Sequence, residues 1–93
     1  MKTLIITVSG RVQGVGFRYY TQITAEKYQL TGWVKNNDDG TVLMMVSGDE
    51  KVLQYFLQEI ESGNQYAYVS NIKIEETTYQ NYENFEILLD RYF

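Results

Sequence analysis

The chain has 93 residues, 44% of them hydrophobic and 15% aromatic, and a net charge of −4. That length and apolar share predict one packed domain over residues 1–93 and argue against a disordered or bilayer-spanning chain. The N-terminus has no signal-peptide pattern, so a cytoplasmic location is expected, and the acidic balance without a basic cluster counts against a nucleic-acid partner.

Leu4 to Val8 alternate as a first strand, with Leu4, Ile6 and Val8 on one face. Phe17 to about Tyr28 read as a helix whose buried side carries Phe17, Tyr20, Thr21, Thr24 and Tyr28, while Gln22 and Glu26 face away. Trp33–Lys35 and Thr41–Val46 are two strands, and the Asp39-Gly40 step between them predicts an antiparallel hairpin. Asp49 is the expected N-cap of a second helix, with Val52, Leu53, Phe56, Leu57 and Ile60 as its buried stripe and Gly63 as its stop. Tyr68 to Glu75 read as a fourth strand packing through Val69, Ile72 and Ile74. A polar loop from Thr77 to Asn84 leads to a last strand over Phe85–Leu89. The order β-α-β-β-α-β plus a final strand predicts an α+β, ferredoxin-like sandwich, with an antiparallel sheet carrying two helices on one face. That fold serves many functions, so function has to be read from a site.

The candidate site is the connection between the first strand and the first helix, Gly10-Arg11-Val12-Gln13-Gly14-Val15-Gly16-Phe17-Arg18. Glycine-rich turns let several backbone N–H groups converge, and a helix N-terminus with a nearby guanidinium completes a pocket for a phosphate-sized anion. A P-loop spacing fails, because Val15 stands where its second glycine belongs and no lysine follows Gly16. A dinucleotide fingerprint starting at Gly14 meets Tyr19 at its third glycine position. With no cysteine and no histidine in the chain, thiol nucleophiles, Ser-His-Asp triads and imidazole or thiolate metal sites are excluded. Any catalysis here has to use Arg, Lys, Asn, Tyr, carboxylates and backbone amides. The Asp38-Asp39-Gly40 run does not make a calcium loop, since Lys35 occupies the first ligand position and no later glutamate completes the set.

Together with Gly32-Trp33-Val34-Lys35-Asn36, the loop resembles the acylphosphatase family, which carries Gly-x-Val-Gln-Gly-Val-x-Phe-Arg and Gly-Trp-Val-x-Asn at this separation. The resemblance runs over essentially the whole chain. It implies an enzyme that hydrolyses the carboxyl–phosphate bond of acyl phosphates without metal or cofactor. Carried over by position, it makes Arg18 the phosphate-binding arginine and Asn36 the residue that holds the attacking water. The backbone amides of Val12, Gln13, Gly14, Val15, Gly16 and Phe17 complete the cradle. Arg11 and the Gln13 side chain are read as exposed loop positions, and Asn37 as a turn residue. Departures from the family pattern are Gln29, where a glycine often ends the first helix, Gly63-Asn64 in place of Gly-Pro, and a missing first-strand histidine. These touch helix ends and a strand, so local stability and substrate preference are what they put in question.

The chemistry agrees with the residues. A carboxylate leaves without a general acid, and a loose phosphoryl-transfer transition state needs chiefly positioning and charge stabilisation. Two other readings compete: a non-catalytic ferredoxin-like module binding acyl phosphate or RNA, and a relic domain serving a larger enzyme. The absence of an RNP1-like pattern and the acidic charge oppose RNA, and the presence of both Arg18 and Asn36 favours the enzyme over the relic. A small acyl phosphate is the expected partner of a monomer, with no membrane or nucleic-acid partner.

Overall fold

In the computed structural model, which describes residues 1–90, the elements run β1 (Lys2–Arg11), α1 (Phe17–Lys27), β2 (Thr31–Asn36), β3 (Val42–Gly48), α2 (Glu50–Ser62), β4 (Tyr68–Thr77) and β5 (Phe85–Ile87). The five strands form one sheet in the order β4-β1-β3-β2-β5. Neighbours in the first four are antiparallel, and β5 joins the β2 edge in parallel. A parallel neighbour needs a long crossover, and the intervening hairpin, α2 and β4 supply it.

Alternation decides which face is covered. Ile6 lies opposite Met44, which lies opposite Val34, and Val8 lies opposite Val42. All five side chains are fully buried together with Val46, and they meet Phe17, Ala25, Leu53, Phe56 and Ile60 from the two helices. On the other face Thr3 and Ser47 share a 2.6 Å hydrogen bond, and Thr3 Oγ1 accepts from the Gln80 N–H of the connection before β5. The two helices are joined by the Tyr20 hydroxyl, which donates to the Glu59 carbonyl at 2.7 Å.

Local chemistry explains the boundaries. Asp49 caps α2, its carboxylate accepting from Lys51 N and Val52 N, and Gly63 closes that helix with a positive φ of 73°. The β2–β3 turn is held by Asn37, whose amide N–H and side chain both bond Thr41, and by Asp39, which accepts from Thr41 N and Oγ1.

Four expectations change. β1 extends beyond Leu4–Val8 at both ends because β3 and β4 flank it and pair it along its length. Gln22 does not simply face solvent: its side chain donates to the Phe85 carbonyl and anchors β5 to α1. Ile74 is 47% exposed on β4, which is an edge strand with a neighbour on one side only. The last strand ends at Ile87, and although Leu88 N still donates to Val34 O, Leu88 and Leu89 are exposed.

Candidate active site

Two element ends meet at one corner of the sandwich. β1 runs into the glycine-rich loop, whose Gly14 and Gly16 take φ values of 74° and 75°. Those angles are strained for any residue with a Cβ, so the glycines are required by backbone conformation. A Cβ at Gly14 would meet no atom within 4 Å beyond its chain neighbours. Val12 and Phe17, each 1% exposed, pin the two ends of the loop into the core.

The first turn of α1 is left uncapped. Gly16 is its N-cap and makes no side-chain cap bond, whereas α2 receives two hydrogen bonds from Asp49. The early N–H groups of a helix have no intrahelical partner, so those at the start of α1 are available to an anion. Arg18 adds a cation in this turn, which is electrostatically unfavourable at a helix N-terminus unless an anion compensates it.

Asn36 arrives from the opposite side. Gly32, Val34 and Asn36 share the helix-covered face of β2, so alternation that buries Val34 also turns the Asn36 side chain inward at the strand's end. Its Oδ1 is buried and accepts no hydrogen bond from any described residue. Native structures rarely leave a buried acceptor unpaired without a functional reason.

An open hollow results, lined by Val12, Gly14 and Gly16 of the loop, by Phe17, Arg18 and Tyr19 of α1, and by Asn36 and Ile87. Of the residues expected to form the site, Gln13 and Val15 do not line it. Gln13 is neither an exposed loop position nor turned to the hollow: its Nε2 donates to the Asn37 and Thr41 carbonyls, both at 2.8 Å, and ties the loop to the β2–β3 turn. The Val15 carbonyl accepts from Asn64 Nδ2 at 3.0 Å. Arg11 is exposed at the end of β1, and Asn37 belongs to the turn.

The segment after β5 closes the corner. Arg18 Nη1 donates to the Leu88 carbonyl at 3.0 Å, and the guanidinium faces the Asp90 carboxylate at 3.3 and 3.4 Å. Asn36 Nδ2 also donates to Asp90 Oδ2, at 3.4 Å. Sequence reasoning missed Asp90, Asn64 and the Gln13 tether. The only sequence signals were an acid after an apolar stretch and the replacement of a common proline by Asn64.

Comparison with known proteins bears on this arrangement. The acylphosphatase family model matches residues 4–87, a span that includes both the loop and Asn36. The chain belongs to the acylphosphatase family. It is 60% identical to an acylphosphatase of Geobacillus kaustophilus over 75 residues, covering 81% of this chain and 80% of that one. The crystal structure of acylphosphatase from Bacillus subtilis superposes with a TM-score of 0.93 at 41% identity, covering 96% of this chain and all of that one. An acylphosphatase from Coxiella burnetii matches with a TM-score of 0.89 at 37% identity over 94% of this chain and 92% of that one. The ferredoxin-like sandwich expected from the element order is thus the acylphosphatase fold, and the chain is an enzyme of this family.

Proposed function

We propose that this acylphosphatase binds the phosphoryl group of a small acyl phosphate between Arg18 and the backbone amides of the Val12–Phe17 loop, with Asn36 orienting the attacking water. The buried Oδ1 of Asn36, without a hydrogen-bond partner among the described residues, carries this reading. An amide oxygen accepts a hydrogen bond from a water O–H without removing the proton, which suits a residue that aims water and does not act as a base.

The reaction balances on these groups. The water oxygen forms a bond to phosphorus as the bond between phosphorus and the acyl oxygen breaks, and the electron pair leaves with the carboxylate. Both water protons end on phosphate oxygens, giving a carboxylate and dihydrogen phosphate. Arg18 and the N–H groups at the start of α1 stabilise the charge on the phosphoryl oxygens, and planar two-pronged donation is why arginine suits position 18 better than lysine. The leaving carboxylate is a stable anion, so no acid is required of the protein and ordinary phosphate esters are poor substrates.

The reading is of a monomeric, single-domain, cytoplasmic enzyme that works without metal or cofactor and engages neither nucleic acid nor membrane. The net charge of −4 supports the nucleic-acid part. Benzoyl phosphate hydrolysis in the presence of EDTA tests the whole. The wild type turns over, and Arg18→Ala and Asn36→Ala each lose about 10²–10³ in kcat/KM, the scale of one well-aimed donor, with unchanged circular dichroism. Full activity of a folded Asn36→Ala variant would remove the water-holding role.

A further inference from the structure

Arg18 Nη2 and Asn36 Nδ2 each lie 3.4 Å from the same atom, Asp90 Oδ2, while Arg18 Nη1 lies 3.3 Å from Oδ1. Two donors from different elements therefore converge on one oxygen position, and an internal carboxylate holds it. These distances exceed the 2.7–2.9 Å of a strong charge-assisted bond. The Arg18 and Asp90 side chains are also 25% and 31% exposed, so water screens the pair. Such a contact is made to be exchanged.

We propose that Asp90 is an internal ligand of the site: its carboxylate takes the position on Arg18 that the phosphoryl group takes, reaching Asn36 Nδ2 beside the place of the attacking water, and each substrate molecule displaces it. The proposal rests on the reading of Arg18 as the phosphate-binding group. It gives Asp90 a part in setting how weakly anions are held. An external carboxylate that meets only Arg18 and Asn36 exchanges one carboxylate for another and gains nothing. A phosphoryl group carries more charge and more acceptor oxygens, and it also reaches the loop amides, with which Asp90 makes no side-chain hydrogen bond among the described residues. Asp90 thereby lowers by one common factor the affinity of every anion that has to displace it, so a carboxylate held by Arg18 and Asn36 alone binds weakly while a phosphoryl group still binds through the loop amides.

Calorimetric titration with inorganic phosphate tests this, alongside the KM for benzoyl phosphate, in the wild type, Asp90→Asn, Asp90→Ala, Arg18→Ala and Glu86→Gln. Both Asp90 variants should bind phosphate about two- to fivefold more tightly, the range of a partly exposed ion pair, and their KM should fall in parallel. Acetate should become a better inhibitor of both. Glu86, an exposed acid on β5, controls for net charge, and its variant should bind phosphate as the wild type does. Unchanged or weaker phosphate binding by folded Asp90 variants overturns the proposal, as does equal tightening in Glu86→Gln. Phosphate binding that survives intact in Arg18→Ala sinks the underlying site reading. Binding lost in Arg18→Ala but not tightened in the Asp90 variants sinks the Asp90 proposal alone.

Discussion

Asn64 spans the short distance between the end of α2 and the glycine-rich loop. Its Oδ1 accepts from Tyr66 N and Ala67 N, folding the chain that leaves α2, while its Nδ2 holds the Val15 carbonyl. The carbonyl, which would repel a phosphoryl oxygen, is thereby engaged by a donor outside the residues that line the hollow. Asn64→Ala should leave the protein folded and reduce kcat/KM for benzoyl phosphate by about tenfold to a hundredfold, the scale of a slightly misplaced binding group. Unaltered kinetics would show that the loop keeps its shape unaided. At this scale the sequence was readable only where a side chain acts within its own motif. Arg18 and Asn36 stand in such motifs; the reach of Asn64 to a residue 49 positions earlier is not encoded in any local pattern.

At the scale of elements, the end of α1 shows a sequence departure made visible. Leu30 N donates to Ala25 O and Gln29 N to Glu26 O, the paired bonds of a Schellman motif, with Gln29 in the left-handed position at φ 57°. Glycine adopts that angle without strain, and a residue with a Cβ loses roughly 1 kcal/mol there. Gln29→Gly should therefore raise unfolding stability by about 0.5–1 kcal/mol, measured by urea titration. A loss of stability would mean that glycine's extra freedom in the unfolded chain outweighs the relief.

The β2–β3 turn carries an acid-sensitive contact. Hydrogen bonds from Thr41, the hydroxyl foremost and then the backbone N–H, hold the Asp39 carboxyl below the usual carboxylate range. A depressed folded-state pKa adds stability above the unfolded value, near about 4, and that stability is lost as pH falls through the folded value. The melting temperature of the wild type should thus drop more steeply below about pH 4 than that of Asp39→Asn, and identical profiles would exclude the contact as a source of acid sensitivity. This element was legible because an Asp-Gly turn is a local signal. The length of β1 was not, because its ends are strands only through pairing with β3 and β4.

Across the whole molecule, the site depends on a core that ties the helices to the sheet. Phe56 is fully buried among core residues drawn from sheet and helices. Phe56→Ala should cost about 3–5 kcal/mol, a large part of the roughly 5–10 kcal/mol available to a domain of this size. Urea denaturation should show a midpoint lowered by at least about 1 M, and a cost below about 1.5 kcal/mol would show the cavity collapsing freely. The exposed edge strand β4 bears Lys73, Glu75 and Glu76 along its length, charges that discourage pairing with another chain.

Periodicity, caps and turn residues act between near neighbours, so the helices, the hairpin, the order of elements and the glycine-rich loop were all determined by the sequence itself. The family motifs pointed to Arg18 and Asn36 for the same reason, since each lies within a short local pattern that contains glycine. Only the tertiary structure decided that Asn36 turns inward beside Arg18, that Gln13 braces the loop from behind, and that Asp90 enters the same corner. The hydrogen bonds among them join residues 24 to 72 positions apart. Geometry at that range is set by strand register and helix packing, which exist only once the whole sheet has formed.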